Sequence, residues 1–175
     1  MADLRIARQK RDAYFCAQLD AVVRRSALRE TGRYIQHGDT SCLLHSIAVA
    51  YFSYRTARLL QRIAAFHERD LIRGALLHDY FLYDWHIPDP THRLHGFRHP
   101  GRALENAQRD FVLSDIERDI IRKHMFPLTP ALPRYRESLL VSAVDKACSV
   151  YECFRRPAYP RLRARIYRVL EGTVR

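Results

Sequence analysis

The chain has 175 residues and a mass of 20.6 kDa, with 47% hydrophobic and 28% charged side chains. That length suits one domain burying roughly 70% of its unfolded surface, so no disulfide staple is required. No apolar run reaches the ~20 residues of a membrane span, because Arg, His or Asp interrupts every candidate. The formal net charge of +11 sits at the two ends, in residues 1–37 and 155–175, while the middle is nearly balanced. Such ends can bind nucleic acid, anionic lipid or acidic partners, or simply form a solvated arginine-rich surface. The first ten residues lack the apolar stretch of a secretory leader, and a cytoplasmic protein is the expectation.

In chain order the pattern reads as helix after helix. Asp3 to about Leu28 supports a basic first helix, which Thr31-Gly32 ends. Gly38-Asp39-Thr40-Ser41 supplies N-cap candidates for a second, whose apolar residues Leu44, Ile47, Ala48, Tyr51, Leu59, Ile63 and Phe66 recur at helical spacing. Glu68 to about Tyr80 predicts a third. Residues 84–100, rich in proline and histidine, predict a long loop, and loops of that length are often functional. A short helix follows over Gly101–Arg109. Ser114 and Glu117 form a capping box that opens a helix running to about Met125. Pro127, Pro130 and Pro133 enforce an extended connection. Arg136–Phe154 predicts an apolar helix, and residues 161–171 a basic amphipathic one. No alternating strand and no internal repeat stand out. The expected fold is an all-α bundle of a single domain, 1–175. Cys16, Cys42, Cys148 and Cys153 form no CxxC pair and read as small hydrophobes.

Nine histidines are the anomaly, and several coincide with carboxylates. Asp145 has Val141 and Cys148 as helical neighbours, so its face is predicted to be buried. A buried carboxylate needs a cation, a hydrogen-bond network or a raised pKa; an ion pair with arginine is the plain alternative. His78-Asp79 closes an apolar helix, and a neutral imidazole beside a carboxylate suits a divalent ion. His45 faces the core with Ala48, Val49 and Phe52. His99, before Pro100-Gly101, and His124, before Met125-Phe126-Pro127, are placed at helix ends, where a capping or surface role is equally open.

Read in order, His45, His78-Asp79, His99, His124 and Asp145 resemble the signature of the HD-domain superfamily of metal-dependent phosphohydrolases, in its five-motif, two-metal form. The resemblance spans about residues 37–154, with the basic helices 3–28 and 161–171 packed on that core. It implies an HD-type helical bundle with a metal site between helices. His45, His78, Asp79 and Asp145 would hold one ion, and Asp79 would bridge to a second held by His99 and His124. Mostly nitrogen ligands with some carboxylate suit Fe, Mn, Co, Ni or Zn better than Ca. The implied reaction is hydrolysis of a phosphate monoester or diester, of a small nucleotide in the first instance, by a metal-activated hydroxide.

After His78-Asp79 the chain reads Tyr-Phe-Leu-Tyr-Asp, without the Gly-Lys of the cyclic-dinucleotide phosphodiesterases, and it is shorter than the deoxynucleotide triphosphohydrolases. The resemblance is to small stand-alone bacterial HD proteins. Arg98 and Lys146 are candidate phosphate ligands, one a fork and one a point charge. Asp84, His86 and His95 are candidate general acids, His95 foremost, with Asp79 and Lys146 completing the catalytic set. Tyr83 and Trp85 could stack on a ring or anchor the loop. Two other readings use the same residues differently. One is a di-iron HD-type oxygenase. The other is a non-enzymatic nucleic-acid or regulatory module that works through the basic ends.

Overall fold

The computed structural model describes residues 2–88, 90, 94–164 and 166. It is mostly helical: α1 spans Ala2–Val23, α2 Cys42–Leu60, α3 Glu68–Leu77, α4 His95–Asp110, α5 Asp115–Lys123 and α6 Arg136–Phe154. A 3-10 turn covers Leu28–Arg33, and residues 160–164 are helical again. Helices α2, α3, α5 and α6 pack on one another, α4 lies on α5, and α1 covers α3 and α2. No helix among the described residues is long and apolar enough to cross a membrane.

Both basic ends contribute to the same core. Phe15, Leu19, Val22 and Val23 of α1 are buried with Ala158, Tyr159, Leu162 and Ile166, alongside Ile47, Leu71, Ile72, Leu76 and Ile120. Their arginines therefore ride on segments anchored by apolar contacts. Most of the expected basic helix beyond residue 166 lies outside the described residues.

Local chemistry explains most boundaries. Ser41 caps α2, its hydroxyl accepting from the Leu44 amide at 3.3 Å. Ser114 and Glu117 form the expected reciprocal capping box on α5. Helix α2 stops at Leu60 rather than near Phe66, and Leu59 and Ile63 are 78% and 84% exposed. Their helical spacing was fortuitous, because no element among the described residues covers that face. Helix α1 likewise ends five residues before Leu28.

Two departures matter for the site. Residues 35–41 form a small antiparallel hairpin, β1 (Ile35–His37) and β2 (Thr40–Ser41), too short to show an alternating pattern. Gly38 turns it with φ +60°, and a Cβ there would lie 2.7 Å from the Glu152 carbonyl of α6. Helix α4 begins at His95, six residues before the expected start. Leu94 enters it in the left-handed region, and Pro100 sits inside the helix. Proline forfeits one hydrogen bond to the residue four before it, here Gly96. The buried face made by His99, Pro100, Ala103 and Ala107 outweighs that local cost.

Helices α3 and α5 cross at Gly74, where an added Cβ would fall 2.6 Å from Ile120 Cδ1 and 3.0 Å from Ile120 Cβ. One turn beyond the crossing, each helix ends in a histidine, His78 and His124. Tyr80 pins the chain just past His78-Asp79: its hydroxyl accepts from the Ala27 amide at 2.7 Å and donates to Asp110 at 2.6 Å. Gly74→Ala is expected to lower unfolding free energy by about 1–3 kcal/mol through overpacking. Adding Ile120→Val, which removes the clashing Cδ1, should recover part of that loss; urea titration checks both.

Candidate metal centre

Six side chains from five segments meet at one end of the bundle. His45 comes from the first turn of α2, His78 and His124 from the ends of α3 and α5, Asp79 from the residue after His78, His99 from α4 and Asp145 from the middle of α6. All six are buried. The end of α5 is itself held by α6. Ser142 Oγ donates to the His124 carbonyl at 2.8 Å, and the Lys146 ammonium donates to the same oxygen. These donors satisfy a helix-end carbonyl that lacks an intrahelical partner.

Asp79 divides the histidines into two groups. Its Oδ1 lies 3.2 Å from His99 Nε2 and 3.4 Å from His124 Nε2. Its Oδ2 lies 3.5 Å from His78 Nε2 and 3.7 Å from His45 Nε2. Asp145 Oδ1 joins the second group, 3.1 Å from His45 Nε2 and 3.8 Å from His78 Nε2. Two three-residue clusters thus share one carboxylate, His45–His78–Asp79 and Asp79–His99–His124.

The far side of every ring is already committed. His78 Nδ1 faces the Ala75 carbonyl at 2.7 Å, His99 Nδ1 the His95 carbonyl at 2.9 Å and His124 Nδ1 the Ile121 carbonyl at 2.9 Å. His45 Nδ1 faces both oxygens of Glu152, at 2.9 and 3.0 Å. A carbonyl only accepts, so Nδ1 of His78, His99 and His124 carries the proton, and a neutral ring then turns the Nε2 lone pair inward, whereas His45 donates to the Glu152 carboxylate and also faces Asp145 through Nε2. His99 and His124 bring their Nε2 atoms within 2.8 Å of each other. Two lone pairs at that separation repel unless a proton or a metal ion lies beside them.

The electrostatics point the same way. Asp79, Asp145 and Glu152 are three buried carboxylates, and Lys146 Nζ lies 3.0 Å from Asp145 Oδ2. Burial alone would raise Asp79, but the facing His78, His124 and His99 rings hold it well below the carboxylate range. Asp145 is depressed in the same way, with His45 and His78 overcoming burial. His45 is raised well above the imidazole range, since its bonds to Asp145 and Glu152 outweigh desolvation. His124 is pushed down to about 4, chiefly by burial. Asp79 Oδ1 and His78 Nε2 are buried without a hydrogen bond. Orphaned inward atoms and a mixed imidazole–carboxylate donor set fit a metal ion. The clusters could hold one.

A cleft of about 380 Å³ opens onto the group. His95 and Lys146 line it; the His95 ring meets the Tyr83 hydroxyl at 2.9 Å and stacks on Trp85 with centroids 5.1 Å apart. Lys146 commits donors to Asp145 and the His124 carbonyl, so it acts first as a strut. Arg98 is exposed on α4, about 100° around the helix from His99, and does not line the cleft. His86 and Asp84 bond to each other on the surface.

Three participants escaped the sequence reading. Glu152 lies two turns after Asp145 on the same helical stripe, and that spacing was the available signal. Gln36 donates to Asp79 Oδ2 at 2.8 Å and accepts from Cys42 Sγ at 3.0 Å, so Cys42 is a polar partner as well as core. His37 lines the cleft and packs at right angles against His45. The hairpin delivers both, and no local pattern marked it. Cys153, expected inside, is exposed.

Replacing Glu152 with Gln is expected to weaken Mn²⁺ or Zn²⁺ binding about 10–100-fold while the fold persists, because it removes the anion that orients His45. Chelator competition measures this, and unchanged affinity would deny Glu152 that role. Metal uptake must also displace the proton between His45 Nε2 and Asp145, so binding should release protons and weaken as pH falls. Calorimetry in buffers of different ionisation heat reads that release directly.

Comparison of the chain with protein-family models, with curated proteins and with solved structures found no match.

Proposed function

We propose that the protein is a metal-dependent phosphohydrolase of the HD type, acting on a phosphate ester at a centre of two divalent transition-metal ions. The observation that carries this reading is the division of Asp79, with one oxygen toward His99 and His124 and the other toward His45 and His78. Ions bound there would lower the pKa of a shared water and offset charge gathering on a phosphoryl group.

The chain's own residues set the stage for that chemistry. His45, His78, Asp79 and Asp145 form the first ligand set; His99, His124 and Asp79 form the second. Glu152 and the Ala75, His95 and Ile121 carbonyls fix ring tautomers, so the Nε2 atoms need no reorganisation. Lys146 holds Asp145 by its outer oxygen, leaves Oδ1 for the cluster and adds positive charge to the cleft wall. Its distance from a phosphate is set by that strut. His95, steadied by Tyr83 and Trp85, stands at the cleft wall to pass a proton to the departing oxygen.

The test is phosphate release from p-nitrophenyl phosphate and bis(p-nitrophenyl) phosphate by the full chain reconstituted with Mn²⁺, Fe²⁺ or Ni²⁺. Metal-dependent release is expected, falling at least about a hundredfold in Asp79→Ala, since the shared carboxylate organises several kcal/mol of charge stabilisation. Hydrolysis that survives chelation or Asp79→Ala would overturn the reading. Oxygen consumption by the iron form without phosphate release would support the oxygenase alternative instead.

A further inference from the structure

The cleft above the Asp79 cluster has a chemistry of its own. Its volume of about 380 Å³ is near the lower end of the ~300–1,000 Å³ of small-molecule sites. Away from the cluster the wall is mostly carbon, supplied by Met125, Leu128 and Val150, with Leu128 and Val150 65% and 59% exposed. Several polar groups of the wall are engaged, although Trp85 Nε1 is buried without a hydrogen bond. The Gln36 amide binds Asp79 and Cys42, Ser149 Oγ binds the Asp145 carbonyl at 2.9 Å, and Lys146 binds Asp145 and the His124 carbonyl. The Trp85 indole is already packed by the rings of His86 and His95, 3.9 and 5.1 Å away.

Charge narrows the ligand further. The chain contains 27 arginines, and among the described residues none lines this cleft; Lys146 is its lysine. A di- or triphosphate would bring further negative charge beside Asp79, Asp145 and an apolar wall on which no arginine among the described residues stands to fork it.

We infer that the cleft takes a phosphate monoester of a compact alkyl group, its phosphate at the Asp79 cluster and its carbon chain along Met125, Leu128 and Val150. This rests on the proposed function and departs from the nucleotide expected from the sequence. The reaction is hydrolysis: the P–O bond to the alkyl oxygen breaks, a P–O bond to water's oxygen forms, and the alkyl oxygen leaves as the alcohol with a proton. No oxidant or reductant is involved.

The closing experiment measures binding apart from turnover. Calorimetry on the Mn²⁺-loaded full chain, with Mn²⁺ in excess, compares methylphosphonate, butylphosphonate, AMP and ATP. Each buried methylene tightens binding about fourfold, so butylphosphonate should exceed methylphosphonate by up to about 50-fold and AMP by at least about tenfold, with ATP weakest. In the double variant Leu128→Ser, Val150→Ser, on exposed positions, the butyl-over-methyl advantage should fall below about fivefold with metal content unchanged. Equal affinity for methyl- and butylphosphonate, AMP or ATP binding as tightly as butylphosphonate, or no binding by any of the four overturns the inference. Selective butylphosphonate binding without release of phosphate from butyl phosphate would uphold the cleft's preference and reject the hydrolytic reading, so the two failures are separable.

Discussion

Asp79 is a buried carboxylate in a place where a carboxylate is expensive. It is buried at the junction of five chain segments, and both of its oxygens face imidazole nitrogens rather than water. Such a group survives only where opposite charge or strong hydrogen-bond donors surround it. Gln36 donates to Oδ2, the rings of His45, His78, His99 and His124 close in from other directions, and Oδ1 is left without a hydrogen bond. The packing at this end of the molecule follows from the need to bring them together.

The fold meets that need with helix ends. Gly74 lets α3 and α5 approach until Ile120 fills the space of a missing side chain, and the two helices then terminate side by side in His78 and His124. Ser142 and Lys146 take up the carbonyl left open at the end of α5, which ties α6 to the same junction and sets Asp145 in place. Gly38 lets the hairpin sit against the α6 backbone at Glu152, so that Gln36 and His37 reach the cluster. Each approach depends on a small side chain or an unpaired backbone group. The geometry of the histidine–aspartate cluster and helix packing are therefore one problem here, and a cation among the Nε2 atoms would add to stability.

Legibility in the sequence followed the range of the interactions. Ser41, Ser114 and Glu117 cap helices through contacts three residues apart, and those starts were readable. The helix Arg136–Phe154 was readable from its apolar content. The hairpin was not, because strands of three and two residues carry no period and are held by tertiary contacts with α2 and α6. The early start of α4 was hidden by His99-Pro100, where the local rule against helix before proline was outweighed by burial. Leu59 and Ile63 failed in the opposite sense, with a local pattern that nothing among the described residues covers.

By itself the sequence determined the helical class, because residue type and helical period are local properties; the six histidines and aspartates stood out only by their order, which resembles the HD-domain signature. Only the tertiary structure decided that their Nε2 and carboxylate atoms converge, that Asp79 is the shared member, and that Glu152 and Gln36 belong to the group. It also decided that Arg98 stands outside and that the cleft wall away from the cluster is mostly carbon. Those facts depend on crossing points, backbone carbonyls and side-chain directions set by residues far apart in the chain. No short-range pattern encodes them.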